Sequence, residues 1–102
     1  QLNRIQSGVK SNYAYFPVVF EEKSFGASRA QVFDRLAENG IGARKYFYPL
    51  TNSFSCFQRK YNVLETPVAL YISRRVLTLP LYADLSLDDV ERICKIILSC
   101  QK

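Results

Sequence analysis

The residues best suited to chemistry lie in one short segment, residues 41–50, with the sequence IGARKYFYPL. Two adjacent cations, Arg44 and Lys45, precede three consecutive aromatic residues, of which Tyr46 and Tyr48 carry phenolic hydroxyls. A guanidinium or ammonium group binds phosphate oxygens, and a tyrosine offers a hydrogen bond and a flat face to a sugar or a base. The segment therefore predicts four substrate-binding residues: Arg44, Lys45, Tyr46 and Tyr48.

The same aromatic run also has a purely structural explanation. Contiguous aromatic side chains on a surface promote association, so a protein rarely exposes them without a function. Tyr46 and Phe47 are expected either at the rim of a binding site or in packing within the core or against another domain. The residue types alone leave both explanations open.

Two further motifs have simpler explanations than a catalytic or a metal site. The S-x-x-K pattern of residues 7–10 lacks the companion motifs of the penicillin-recognising enzymes that use it. A group of acidic residues falls at the start of a predicted helix, where negative charge is favourable. We therefore predict no catalytic residue and no metal site in this chain. The acidic group is Asp84, Asp88, Asp89 and Glu91.

Composition and charge limit the class of protein. The 102 residues are 48% hydrophobic, which is enough for a core and argues against disorder. No apolar run approaches the roughly 18 residues of a membrane span, and the first residues lack a signal-peptide pattern. The net charge of +5 favours an anionic partner, unless the rest of a longer protein neutralises it. The absence of methionine favours such a longer protein.

The three cysteines, Cys56, Cys94 and Cys100, indicate a reducing compartment. Their odd number, the lack of a C-x-x-C spacing and the absence of histidine argue against a disulfide framework and a zinc site. Cys94 is expected to fill space on the apolar face of the last helix. The predicted location is the cytoplasm.

Three apolar runs predict β-strands, over residues 13–20, 41–48 and 76–81. Pro17 has no N–H for a sheet ladder, which places the first strand at an edge or near a bulge. In the second strand, Ile41, Ala43 and Phe47 suit a core face that Lys45 interrupts.

Helix start and stop signals separate these strands. Ser28 and Gln31 form a capping-box pattern, and the helix that follows is expected to end at Asn39 and Gly40. A short helix is predicted over residues 53–61. Thr66 before Pro67 predicts a helix that runs to about residue 74.

The last helix is expected to begin after Ser86. Its apolar residues at helical spacing are predicted to face inward. They are Val90, Ile93, Cys94 and Ile97.

The order of these elements predicts an α+β fold. It is a two-layer sandwich in which a small, mainly antiparallel three-stranded sheet carries helices on one face. Residues 1–12 are polar and poorly periodic, so they are interpreted as a lead-in from a missing large domain. Residues 13–102 then form the domain itself. Both faces of the first strand are apolar, which predicts that the sheet also docks on a larger neighbour.

Three blocks of sequence resemble the DegT/DnrJ/StrS sugar aminotransferases. They are GIGARKYFYPL at residues 40–50, TPVA at residues 66–69 and LTLPLY at residues 77–82, in the order and approximate spacing of that family. The resemblance implies the carboxy-terminal small domain of an enzyme with the aspartate-aminotransferase fold. It also implies a pyridoxal phosphate (PLP) cofactor, a keto sugar carried on a nucleotide as substrate, and a homodimeric parent.

The resemblance further implies that the catalytic lysine lies elsewhere in the parent. None of the lysines is followed by the glycine-rich segment of the family's Schiff-base lysine, so the fragment alone is expected to be inactive. Many relatives carry a His-Tyr pair where this chain has Tyr46 and Phe47. The segment 41–48 is expected to leave the small domain over the active-site cleft. The lysines are Lys10, Lys23, Lys45, Lys60, Lys95 and Lys102.

Two non-enzymatic alternatives stay open at this point. Aromatic residues on strands with interleaved cations are found in modules that bind single-stranded RNA, although the glycine-interleaved RNP pattern is absent here. The other alternative is a small ligand-sensing or oligomerisation domain. The predicted partners are the chain's own large domain and a nucleotide sugar, with neither nucleic acid nor membrane.

Overall fold

The chain forms four α-helices and a two-stranded antiparallel sheet in a computed structural model that describes residues 1–57 and 60–102. Strand β1 spans Phe16–Val19 and strand β2 spans Val76–Leu79, paired with Phe16 opposite Leu79. The predicted α+β class is therefore confirmed. The helices are α1 (Glu22–Phe25), α2 (Arg29–Glu38), α3 (Pro67–Ser73) and α4 (Leu87–Leu98).

Local end signals position the two longest helices as predicted. At the start of α2, the Ser28 side chain accepts from the Gln31 backbone N–H at 3.3 Å, and the Ser28 N–H donates to the Gln31 side chain at 2.8 Å. Gly40, with a φ of 74°, follows the helix, because a left-handed residue is needed to turn the chain there. Ser86 caps α4 through the backbone N–H of Asp89.

The predicted three-stranded sheet is not confirmed, because residues 41–48 do not form a strand. This segment contributes one bridge, in which Arg44 and Thr78 exchange backbone hydrogen bonds. On one side of this bridge, the next residue pair that would exchange backbone hydrogen bonds includes Pro80, which has no N–H to donate. On the other side the chain enters a turn at Tyr46. The segment therefore touches the sheet edge at a single residue.

The first strand is shorter than the predicted range of residues 13–20 and begins at Phe16. Side chains hold a turn before it: the Ser11 hydroxyl accepts from the Tyr13 N–H, and the Asn12 side chain accepts from the Ala14 N–H. Tyr13 has a positive φ of 51°, which is incompatible with a strand. Before this turn, Leu2 forms a bridge with Val18.

The hydrophobic core lies between the sheet and the helices α2 and α4. Leu77 of β2 is fully buried there, and the residues on either side of it along the strand belong to the opposite face. Val76, on that opposite face, is buried as well. The core cluster is Phe20, Ala27, Val32, Leu36, Leu77 and Ile93, with Ile41 and Ala43 packed against it.

The prediction for the inward face of α4 is correct at Ile93 and Ile97 and wrong at Cys94 and Val90. Ile93 is buried and Ile97 packs against the core, whereas Cys94 and Val90 are exposed. The helix turns about 100° per residue, so a core stripe through positions 93, 96, 97 and 100 leaves position 94 outside it.

The predicted helix over residues 53–61 includes Gln58 and Arg59, which lie outside the described residues. In the described part, the helical turn Thr51–Ser53 stops at Phe54, whose ψ of 146° is extended. A second short turn covers Val63–Glu65, and α3 then begins at Pro67, as predicted. No helix in the described ranges is long and apolar enough to cross a membrane.

Candidate substrate-binding site

The fold turns one side of the segment 41–48 towards the core and the other towards solvent. Ile41 and Ala43 pack against the core, and Arg44 is fixed to Thr78 by backbone hydrogen bonds of 3.0 Å and 2.7 Å. Gly42 and Arg44 are exposed on the side away from that packing. They border a depression of about 330 Å³, which we call the Arg44 pocket. Its lining is Ala14, Tyr15, Gly42, Arg44, Tyr46, Thr78, Leu79, Pro80 and Leu81.

Aromatic rings hold the Arg44 guanidinium in this pocket. Its Nη1 donates to the Tyr46 hydroxyl at 2.5 Å, and its Cζ lies 5.5 Å from the centre of the same ring. Tyr15 packs edge-on against Tyr46 with ring centres 5.5 Å apart, and Phe47 stacks on Tyr46 with ring centres 5.1 Å apart. Because the ring of Tyr46 contacts two other aromatic rings, its hydroxyl holds the guanidinium in a defined position.

The charge of Arg44 has no carboxylate partner in the described part of the chain. The ion pairs found there join Arg35 to Glu38, Arg75 to Glu21, and Lys95 to Glu91. The lining of the Arg44 pocket contains no acidic residue. A guanidinium has five N–H donors, so an anionic group entering the pocket would meet donors whose charge is not neutralised.

The four predicted site residues are divided into two pairs. Arg44 and Tyr46 line the Arg44 pocket, whereas Lys45 and Tyr48 contact α2. The Lys45 ammonium lies 4.2 Å from the centre of the Phe33 ring, and the Arg29 guanidinium lies 4.8 Å from the centre of the Tyr48 ring. These cation–ring contacts connect the segment to a helix whose other side is in the core.

Two hydroxyl-bearing residues of the pocket, Tyr15 and Thr78, were not predicted from the sequence. Tyr15 comes from the turn before β1, and Thr78 is the polar member of an apolar strand. Thr78 could have been noticed in the sequence, because it is the polar residue in the otherwise apolar run LTLP. Tyr15 carried no such signal, because it lies within a run that is aromatic and apolar at almost every position.

The described residues do not by themselves fit a PLP site. Such a site needs a lysine amine, a carboxylate opposite the pyridine nitrogen and a phosphate cradle. Lys45 is the one half-buried lysine of the described ranges, and its ammonium lies over an aromatic ring without a carboxylate partner. The other lysines are exposed, and the described part of the chain contains no cluster of metal-ligating side chains.

The arrangement of helices and strands is that of a part of known aminotransferases. A protein from Bacillus cereus ATCC 10987, assigned as a PLP-dependent aminotransferase, superposes with a TM-score of 0.64 and is 26% identical, over 81% of this chain and 22% of its own. Helicobacter pylori PseC, an aminotransferase involved in the biosynthesis of pseudoaminic acid, superposes with a TM-score of 0.70. At 22% identity, over 85% of this chain and 23% of its own, PseC shows likeness of fold alone.

Sequence comparison identifies the family. Residues 2–98 match the model of the DegT/DnrJ/EryC1/StrS aminotransferase family, and the chain belongs to that family. The dTDP-4-amino-4,6-dideoxy-D-glucose transaminase of Escherichia coli is 38% identical over 90 residues, which are 86% of this chain and 24% of the relative. The chain thus spans about a quarter of the length of the curated relatives it matches.

Proposed function

We propose that this chain is the carboxy-terminal small domain of a PLP-dependent aminotransferase that acts on keto sugars carried on nucleotides. Family membership over residues 2–98 supports the aminotransferase class. The Escherichia coli relative acts on a dTDP-linked amino sugar, which supports a nucleotide sugar as the substrate. In the parent enzyme the small domain would close one side of the active-site cleft with the Arg44 pocket.

The observation that carries this proposal is the acid-free Arg44 pocket. A nucleotide sugar contains a diphosphate between two ring systems. The guanidinium of Arg44 suits the diphosphate, and the rings and hydroxyls of Tyr46 and Tyr15 suit a sugar or a base. The assignment of Lys45 and Tyr48 to the substrate stays a prediction, and the Lys45→Gln variant described in the Discussion tests it for Lys45.

The other parts of the proposal concern the parent protein. The large domain would supply the Schiff-base lysine and most of the contacts to PLP, whose role is to accept and pass on the amino group. A homodimer, glutamate as the amino donor and a cytoplasmic location complete the proposal. The free thiols of Cys56, Cys94 and Cys100 support a reducing compartment.

Amino transfer by the full-length protein that contains this chain tests the proposal. We expect the purified protein to show the visible absorbance of a PLP Schiff base and to convert a keto-sugar nucleotide to an amino sugar at the expense of glutamate. The 102-residue chain alone, mixed with PLP, is the control and should show no Schiff-base absorbance. A full-length protein that neither binds PLP nor aminates such a sugar would contradict the proposal.

A second titration addresses the RNA-binding alternative. Single-stranded RNA is added to the full-length protein at two salt concentrations. Under our proposal, binding is weak and non-specific. A micromolar affinity with a steep salt dependence would favour the RNA-binding module instead.

A further inference from the structure

The first residues of the chain lie along the edge of β1 that faces away from β2. The backbone nitrogen of Gln1 donates to the Val19 carbonyl at 2.6 Å, and the Val19 N–H donates to the Gln1 carbonyl at 2.9 Å. Leu2 forms a bridge with Val18. Two residues that exchange both hydrogen bonds are a hydrogen-bonded pair of an antiparallel ladder. Gln1 and Leu2 therefore extend the sheet beside β1.

The chain after β1 offers one more ladder position on this edge. Phe20 donates its N–H in the other direction, to the Arg75 carbonyl at 3.0 Å. Since successive N–H groups of a strand point to opposite edges, the N–H of Glu21 points to the edge where Gln1 lies. Glu21 is extended, with φ −92° and ψ 104°, and its N–H has no hydrogen-bond partner in the described part of the chain. This donor is available to a strand that continues past Gln1.

A depression of about 440 Å³ lies at this open position. Gln1 borders it, together with the end of β1, helix α1 and the last turn of α3. Among the described residues of its lining, the one charged side chain is Glu21, whose carboxylate is already bound to the Tyr71 hydroxyl and to Arg75. The depression therefore suits an apolar side chain. Its apolar lining is Val19, Phe20, Phe25, Tyr71 and Ile72.

We infer that the segment directly upstream of Gln1 in the parent protein fills this depression as a strand along the edge of β1. The inference rests on the proposed function, which places a large domain upstream, and the chain spans about a quarter of the length of its curated relatives. A strand that continues through Gln1 reaches the depression without a turn, because Gln1 itself lines it. The connection between the two domains is then a paired strand and not a loose linker.

The register assigns a role to each of two upstream residues. With Gln1 opposite Val19, the residue directly before Gln1 lies opposite Phe20, and the one before that lies opposite Glu21. The first shares a sheet face with Phe20, whose ring centre is 5.4 Å from that of Phe25, so we predict an apolar residue there. The carbonyl of the second accepts from the Glu21 N–H. The Glu21 carbonyl already accepts from Phe25, so the ladder ends at this bond.

Amide hydrogen exchange in the full-length protein tests the inference without any substitution. We expect the Glu21 N–H, like that of Val19, to exchange at least about 100-fold more slowly than an unpaired amide. The adjacent N–H of Glu22 is the internal control, because it lies in the first turn of α1 and has no acceptor within the helix. Exchange at Glu21 as fast as at Glu22 would overturn the inference, even in a protein that binds PLP and transfers amino groups. A protected Glu21 in a protein without that activity would contradict the proposed function alone.

A pair of cysteines identifies what occupies the edge. One replaces the residue two places before Gln1, and the other is Glu21→Cys, since Cα atoms about 5.5 Å apart in a hydrogen-bonded pair allow a disulfide. We expect peptide mapping of the oxidised full-length protein to find this disulfide within one chain. Its yield should match that of the control pair Gln1→Cys and Val19→Cys, which the structure shows to be such a pair.

Asp34→Cys gives the negative control for the upstream cysteine, because it is exposed on α2 and does not line the depression. It should form no disulfide with that cysteine. Equal yields at Glu21→Cys and Asp34→Cys would overturn the inference, and so would a disulfide that joins two copies of the protein. A missing disulfide at Glu21→Cys, where the control pair forms one, would overturn it as well.

Discussion

Helix α2 and the segment 41–48 follow each other in the chain but are held by different forces. Val32 and Leu36 of α2 are fully buried, and the helix has a capping box at its start. The segment 41–48 has one bridge to β2 and otherwise depends on side chains that pack on the core or on α2. The difference separates a stable support from the segment whose residues we propose to contact the substrate.

The largest effect should come from removing a buried side chain of α2. We expect Leu36→Ala to lower the free energy of unfolding of the chain by about 2–5 kcal/mol, because it leaves a cavity in the core. The matched substitution is Leu87→Ala in α4, where the side chain is 83% exposed. This substitution should lower the free energy of unfolding by less than about 0.5 kcal/mol. Urea denaturation measures both, and similar losses would contradict the description of the core.

The two glycines at the junction of these regions should respond differently to alanine. Gly40→Ala should lower the free energy of unfolding by about 1–2 kcal/mol, because alanine is strained at a φ of 74°. Gly42→Ala should leave the stability unchanged or raise it by up to about 1 kcal/mol, because it restricts only the unfolded chain. The same urea denaturation measures this pair. A larger loss of stability at Gly42 than at Gly40 would contradict the open space found around Gly42.

The smallest effect concerns the contact between the segment and α2. Phe33→Leu and Lys45→Gln, separately and together, form a double-mutant cycle on the free energy of unfolding. We expect a coupling of about 0.5–1 kcal/mol, the usual size of a cation–ring contact near a surface. The cycle separates this term from the packing that Phe33 also makes with the core. Strictly additive losses would mean that the contact does not hold the segment.

Much of the scaffold was predictable because its signals are local. Ser28, Pro67 and Ser86 each mark a helix start within a few residues, and the structure has helices there. Pairing between distant segments was harder to predict. Residues 41–48 have a strand-like pattern that only Lys45 interrupts, but Pro80, directly after β2, has no N–H to donate, and the contact is one bridge.

The site was predictable only in part, for a related physical reason. Arg44 and Tyr46 stand out in the sequence because they are adjacent to other cations and rings. Tyr15 and Thr78 join them through the folding of segments about 30 residues away on either side, which no local pattern reveals. The separate positions of Lys45 and Tyr48 depend on where α2 lies relative to the segment.

The most direct test of the central claim compares two adjacent cations in the full-length enzyme. Steady-state kinetics with a keto-sugar nucleotide give KM for Arg44→Gln and for Lys45→Gln. If the Arg44 pocket binds the diphosphate, Arg44→Gln should raise KM by about 10- to 100-fold, the usual effect of losing a charged hydrogen bond of about 1.5–3 kcal/mol. Lys45→Gln should raise it less than about threefold. An equal or larger effect at Lys45 would contradict the account.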